Sequence, residues 1–104
     1  MGAARRSVYC ATKHAVEGLV KALAVELAPE RIRVNAVAPT FVETPMTEPF
    51  FADNGFRTEV LSRIPLGRVG QVEDVTGAVV FLASPAASLI TGSSLFVDGG
   101  WTAQ

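Results

Sequence analysis

Apolar residues recur at Val8, Ala11, Ala15, Leu19, Ala22, Leu23 and Leu27, while Glu17 and Lys21 stand four apart on the outer side. That spacing predicts an amphipathic helix over residues 7–27, because positions three and four apart share one face of a helix. Gly18 interrupts the stripe. A mid-helix Gly costs about 1 kcal/mol relative to Ala, so its presence predicts close packing against another backbone there. Pro29 closes the helix, since the residue before a proline disfavours the α region. Residues 32–38 are short, β-branched and ended by Pro39. They predict a strand with Ile32, Val34 and Ala36 on one face and Arg33, Asn35 and Val37 on the other.

Residues 40–70 follow neither period. They hold Pro45, Pro49, Pro65, Gly55, Gly67 and Gly70, with an exposed-looking Phe50-Phe51 pair and Phe56. A connection of about 30 residues is longer than usual and predicts a functional lid, spanning about 45–65, with short helices near 48–53 and 55–63. Val72, Val75, Val79, Phe81 and Leu82 mark a further helix, residues 94–97 a last strand, and Asp98-Gly99-Gly100 a turn. Neither an internal repeat nor a low-complexity tract is present. The order helix, strand, lid, helix, strand predicts an α/β protein with a parallel sheet, its last strand–helix–strand a right-handed crossover. Two strands make a poor sheet by themselves, so the reading is one incomplete domain over residues 1–104.

Composition narrows the classes. The chain has 104 residues, 49% hydrophobic and only 18% charged, which allows one small domain. Either a compact Ala/Val/Leu-rich core or apolar surface covered by something outside these residues accounts for that balance. The net charge is −1 and no basic run exceeds Arg5-Arg6, so neither nucleic acid nor an anionic membrane is an expected partner. The single Cys10 excludes an internal disulfide and fits a reducing compartment. No apolar stretch approaches the ~20 residues of a membrane-spanning helix. Residues 1–6 lack the apolar stretch of a signal peptide, and Arg6 stands where myristoylation wants Ser or Thr. A cytoplasmic location is expected.

Tyr9 and Lys13 place a phenol and an ammonium four residues apart, on one face of the predicted helix. That pairing suits proton transfer at a carbonyl or alcohol oxygen, because a fixed cation beside a phenol favours its ionised form. The spacing alone carries little weight. His14 is expected at the surface, Cys10 as a small packing residue, and Asp98 as a turn residue. Nothing among the His, Cys and Asp positions has metal-ligand spacing, so no catalytic metal is expected.

The residues gain meaning together. Tyr9-Cys-Ala-Thr-Lys13, Leu23-Ala-Val-Glu-Leu27 and Ile32-Arg-Val-Asn-Ala-Val-Ala-Pro39 closely resemble the classical short-chain dehydrogenase/reductase family. Arg68-Val69-Gly70 with Glu73-Asp74-Val75, Phe81-Leu82-Ala83-Ser84, Thr91-Gly92-Ser93 and Leu95-Phe96-Val97-Asp98-Gly99-Gly100 continue the resemblance in register over residues 7–101. It implies the C-terminal half of a Rossmann-like doubly wound parallel sheet and NAD(P)-dependent hydride transfer between an alcohol and a ketone or aldehyde. By the same resemblance Tyr9 is the general acid/base and a cofactor contact, and Lys13 is the catalytic residue that binds the nicotinamide ribose and eases ionisation of Tyr9. Pro39, Thr40, Val42 and Thr44 form the loop that meets the nicotinamide, Val42 through backbone groups and Thr44 through its hydroxyl. Thr40 stands where the family usually has Gly. Met46, Phe50, Phe51 and Phe56 fall in the substrate lid and imply an apolar or bulky carbonyl substrate.

The resemblance also implies parts that these residues do not include. The Gly-rich turn that holds the pyrophosphate is absent, as is the residue that separates NAD from NADP, so either cofactor is compatible. The family's catalytic Ser precedes the Tyr by more than the eight residues present here, and Ser7 is too close to replace it. The expectation is a C-terminal fragment inactive alone, because hydride transfer needs a bound and oriented nicotinamide. It would act as part of a longer enzyme, by pairing with a complementary half, or as a non-catalytic interaction module derived from the family. The helix of Tyr9 and Lys13, and the last helix and strand, make subunit contacts in the family, which implies a homo-oligomer.

Overall fold

A computed structural model describes residues 7–104. The opening residues, on which the signal-peptide and myristoylation expectations rest, lie outside the described part. In chain order the elements are α1 (Ser7–Leu27), β1 (Ala36–Pro39), α2 (Glu48–Phe51), α3 (Asn54–Ser62), α4 (Val72–Ala83) and β2 (Ser94–Val97). Single 3-10 turns lie at Ala28–Glu30, Pro85–Ala87 and Trp101–Ala103. β1 and β2 pair directly. Ala36 N–H donates to Ser93 O at 2.9 Å and Thr40 N–H to Val97 O at 3.2 Å, the same register step twice, which defines a parallel ladder. The molecule is therefore α/β, as the alternation of elements predicts. The described chain divides into two compact units, residues 7–36 with 87–94 and residues 37–86 with 95–104.

In the first unit, α1 ends at Leu27, as its periodicity predicts. Pro29 at the start of the 3-10 turn ends it, and Arg31 then turns the chain with φ 62°. Ala24 is buried, but Val8, Leu19 and Val25 are exposed by 79%, 56% and 77%. Gly18 does not behave as predicted, since a Cβ built there would meet nothing within 4 Å. The close approach to α1 is made instead by Gly92, where a Cβ would lie 3.4 Å from that of Ala24.

The strand predicted over 32–38 is shorter than its pattern and begins four residues later, at Ala36. Residues 33–35 are held by the turn at 90–93 rather than by a ladder. Arg33 and the Asn35 amide both donate to the Ile90 carbonyl, at 3.2 and 2.9 Å, and Asn35 Oδ1 accepts from Ser93 N–H at 3.0 Å. Val34 N–H donates to the Thr91 hydroxyl at 3.1 Å. Beside the backbone bond from Gly92 N–H to Val34 O at 2.8 Å, side chains here take the place of ladder partners, which alternation cannot reveal.

The second unit is built on a small core of Phe51, Val60, Ile64 and Val69, against which Phe41, Leu61 and Trp101 pack. Phe51 contradicts its expected exposure, being only 5% accessible. Its ring lies 6.4 Å from Phe41 and 5.7 Å from Phe56, within the range of favourable aromatic pairs. Phe50 is 63% exposed and Met46 83%. The two short predicted helices are α2 and α3, and Asp53 caps α3 by accepting from Phe56 N–H at 3.1 Å. The predicted turn at 98–100 is present. Gly99 is left-handed at φ 63°, and a Cβ there would come within 2.5 Å of Ile64 Cγ2, so both backbone and core require Gly.

Candidate active site

α1 positions Tyr9 and Lys13 within the first unit. Four residues apart on a regular helix, they share a face, and the Lys13 ammonium lies 6.0 Å from the Tyr9 ring centroid. Tyr9 is 52% exposed. Two neighbours bond back along the helix: the Thr12 hydroxyl donates to Val8 O at 2.9 Å, and His14 Nδ1–H to Cys10 O at 2.7 Å. His14 is thus an exposed helix residue, as expected.

The predicted nicotinamide loop lies in the second unit. It leaves β1 at Pro39, which lacks an N–H and sits at the strand's last position, where none is needed. Thr40 has no positive φ, so the side chain in place of the family's Gly carries no left-handed strain. The loop is then pinned to the segment before α4. Gly70 N–H donates to Phe41 O at 2.8 Å and Glu43 N–H to Gly70 O at 2.8 Å, which forms a parallel bridge between Val42 and Gly70.

Thr47 was not singled out by sequence, yet it organises this loop. Its hydroxyl donates to Val42 O at 2.7 Å and accepts from Thr44 N–H at 2.8 Å. The signal was available in the spacing Thr44-Pro-Met-Thr47, because Ser and Thr hydroxyls bond to backbone groups a few residues away.

A pocket of about 350 Å³ also opens in the second unit, walled by Thr40, Phe41, Phe96 and Gly99 among others. Thr40 alone of the predicted contact residues lines it. On its wall Arg68 forms a two-pronged ion pair with Asp74, at 2.8 and 3.1 Å. The Arg68 hydrogen bond, then that from Gln71 N–H, lowers the Asp74 carboxyl to about 2. A depressed carboxylate stabilises the fold above its unfolded value and loses that contribution as pH falls through the folded value. Acid unfolding between about pH 4 and pH 2 is expected to be steeper in the wild type than in Asp74→Asn. Urea midpoints measured across that window check this, and parallel curves would exclude it. Asp98 is committed to its own turn. Its carboxylate accepts from Gly100 N–H, Thr102 N–H and the Thr102 hydroxyl at 3.0, 3.1 and 2.7 Å. The Thr102 hydroxyl is the first cause of its lowered pKa.

The family model described as enoyl-(acyl carrier protein) reductase matches residues 1–102. L-xylulose reductase from Bos taurus is 49% identical over 102 residues, covering 98% of this chain and 42% of its own length. The solved structure of 4-hydroxyisoleucine dehydrogenase complexed with NADH superposes with TM-score 0.94 at 36% identity, over 100% of this chain and 43% of that one. A gluconate 5-dehydrogenase from Burkholderia cenocepacia in complex with NADP and tartrate gives TM-score 0.86 at 41% identity, over 92% and 38%. The chain belongs to the classical short-chain dehydrogenase/reductase family, an oxidoreductase family, with a Rossmann-like fold. It spans about two-fifths of the length of the relatives it matches.

Proposed function

We propose that this chain supplies the proton-transfer part of an NAD(P)-dependent alcohol/carbonyl oxidoreductase. The observation that carries the reading is the shared helix face of Tyr9 and Lys13, with the ammonium 6.0 Å from the phenol ring centroid. In carbonyl reduction the Tyr9 hydroxyl donates its proton to the carbonyl oxygen, and in alcohol oxidation the phenolate takes it back. Lys13 offsets the negative charge left on Tyr9 and donates to the ribose hydroxyls. The donor set suits such a cofactor in kind, with an exposed phenol and ammonium on α1 and the Thr44 hydroxyl with Val42 backbone groups on the loop. When bound, a nicotinamide supplies or accepts the hydride.

The named cofactors of the solved relatives, NADH and NADP, support either form. Exposed Met46 and Phe50 support a bulky or apolar carbonyl substrate, whereas Phe51 belongs to the core. Because the Gly-rich turn is not among these 104 residues, cofactor binding is proposed to need residues beyond them, from the same chain or from a complementary one. Cytoplasmic location and assembly into an oligomer form part of the same reading. Among the described residues no helix is long and apolar enough to cross a membrane.

A second reading is an interaction module without catalysis, favoured by the exposed apolar residues Val8, Leu19 and Val25 of α1. Nicotinamide fluorescence separates the two. NADH or NADPH should bind when the chain is mixed with an N-terminal half from a related enzyme, and not to the 104 residues alone. Binding by those residues alone would show that they hold a sufficient pocket, and no binding in either form, from folded protein, would favour the interaction module.

A further inference from the structure

We propose that Thr47 is a positioning residue for the nicotinamide loop, setting the direction in which Thr44 presents its hydroxyl. The inference rests on the reading of Thr44 and Val42 as cofactor contacts. A Thr hydroxyl has one proton and two lone pairs. That of Thr47 sends its proton to Val42 O at 2.7 Å and uses a lone pair to accept Thr44 N–H at 2.8 Å. Both residues flanking Glu43 are thereby tied to one oxygen. Thr47 N–H donates to Thr44 O at 3.0 Å and also approaches Thr44 Oγ1 at 3.3 Å.

The last contact fixes a polarity. Thr44 Oγ1 receives the Thr47 N–H on a lone pair, and the Thr47 hydroxyl proton is already engaged by Val42, so Thr44 keeps its own proton to give. Within the loop that proton can reach Thr47 Oγ1, at 3.3 Å, a long and readily exchanged contact. Thr44 is thus set up as a hydrogen-bond donor, matched to an acceptor such as a carboxamide oxygen. A hydroxyl left to rotate freely would lack this bias. Thr47 itself need not touch the cofactor.

Three variants test the assignment: Thr47→Val, Thr47→Ser and Thr44→Val. Exchange of the Thr44 amide is read first, without cofactor, and should quicken about tenfold in Thr47→Val while Thr47→Ser restores protection. Affinity and KM for NADH or NADPH are read next, in whichever form of the protein binds them. Thr47→Val should raise Kd and KM roughly tenfold with kcat changed by less than about threefold, and Thr47→Ser should stay within about twofold of wild type.

If Thr44→Val weakens binding but Thr47→Val leaves binding and Thr44 exchange as they were, the positioning role is wrong. If Thr44→Val leaves binding unchanged, the reading of Thr44 as a contact fails, and the cofactor part of this proposal fails with it. The Thr44 exchange rate then still reports whether Thr47 holds the loop. A wild-type protein that binds neither nucleotide in any form overturns both. Should Thr47→Val fail to fold, Thr47→Ala against Thr47→Ser makes the same comparison.

Discussion

In the form of the protein that binds nicotinamide, Tyr9→Phe is expected to lower the rate of carbonyl reduction by about 10²–10⁴-fold, the range contributed by a positioned general acid. The change removes one oxygen and keeps the ring, so the contact with Lys13 survives. Tyr9 is 52% exposed, and loss of its hydroxyl therefore leaves no cavity. Folding and nicotinamide affinity should be close to wild type, and the defect should appear in kcat rather than KM. Steady-state rates beside nicotinamide titrations and a thermal melt measure all three. A Tyr9→Phe enzyme with wild-type kcat would remove this residue from the chemistry.

The largest stability effect is expected from Phe51→Ala, at about 3–5 kcal/mol, as for other buried aromatic truncations. Phe51 is 5% exposed and lies between Phe41 and Phe56, so its removal empties the centre of the second unit's core. A domain is stable by only about 5–15 kcal/mol, so this single change takes a large share of the total. Phe50→Ala, next along the chain but 63% exposed, should stay within about 0.5 kcal/mol. Urea midpoints of the two variants make the comparison. Equal midpoints would mean that Phe51 serves a mobile lid and that the core closes without it.

That pair also shows where sequence reading stops. Phe50 and Phe51 sit in a proline-rich stretch with no apolar period, so only the orientation of α2 decides which ring is buried. Elements with local signals were legible. α1 follows from its stripe and Pro29, and β2 from a short apolar run closed by Asp98-Gly99-Gly100. The start of β1 was not, because Asn35 and Arg33 bind a turn 55–57 residues away. Gly18 misled for a related reason: the close approach to α1 comes from Gly92, which no local pattern links to the helix. At the site, Tyr9 and Lys13 were readable from spacing plus resemblance. Thr47 was overlooked because its role lies in two backbone partners and not in chemistry of its own.

The aromatic cluster of the second unit has a consequence for how the chain is made. Trp101 stacks 5.0 Å from Phe41, and the Gly99 carbonyl holds Leu66 N–H at 3.0 Å. A ribosome delivers Phe41 and Trp101 60 residues apart, which at about 5–20 residues per second is roughly 3–12 seconds. For that interval Phe41, Phe51 and Phe56 have emerged, or are emerging, without the ring and turn that cover them. Slow codons or stalling within the span lengthen the exposure, while fast translation through residues 66–101 shortens it. Translation speed along that stretch is therefore one of the controls on whether newly made chains bury these rings or aggregate through them.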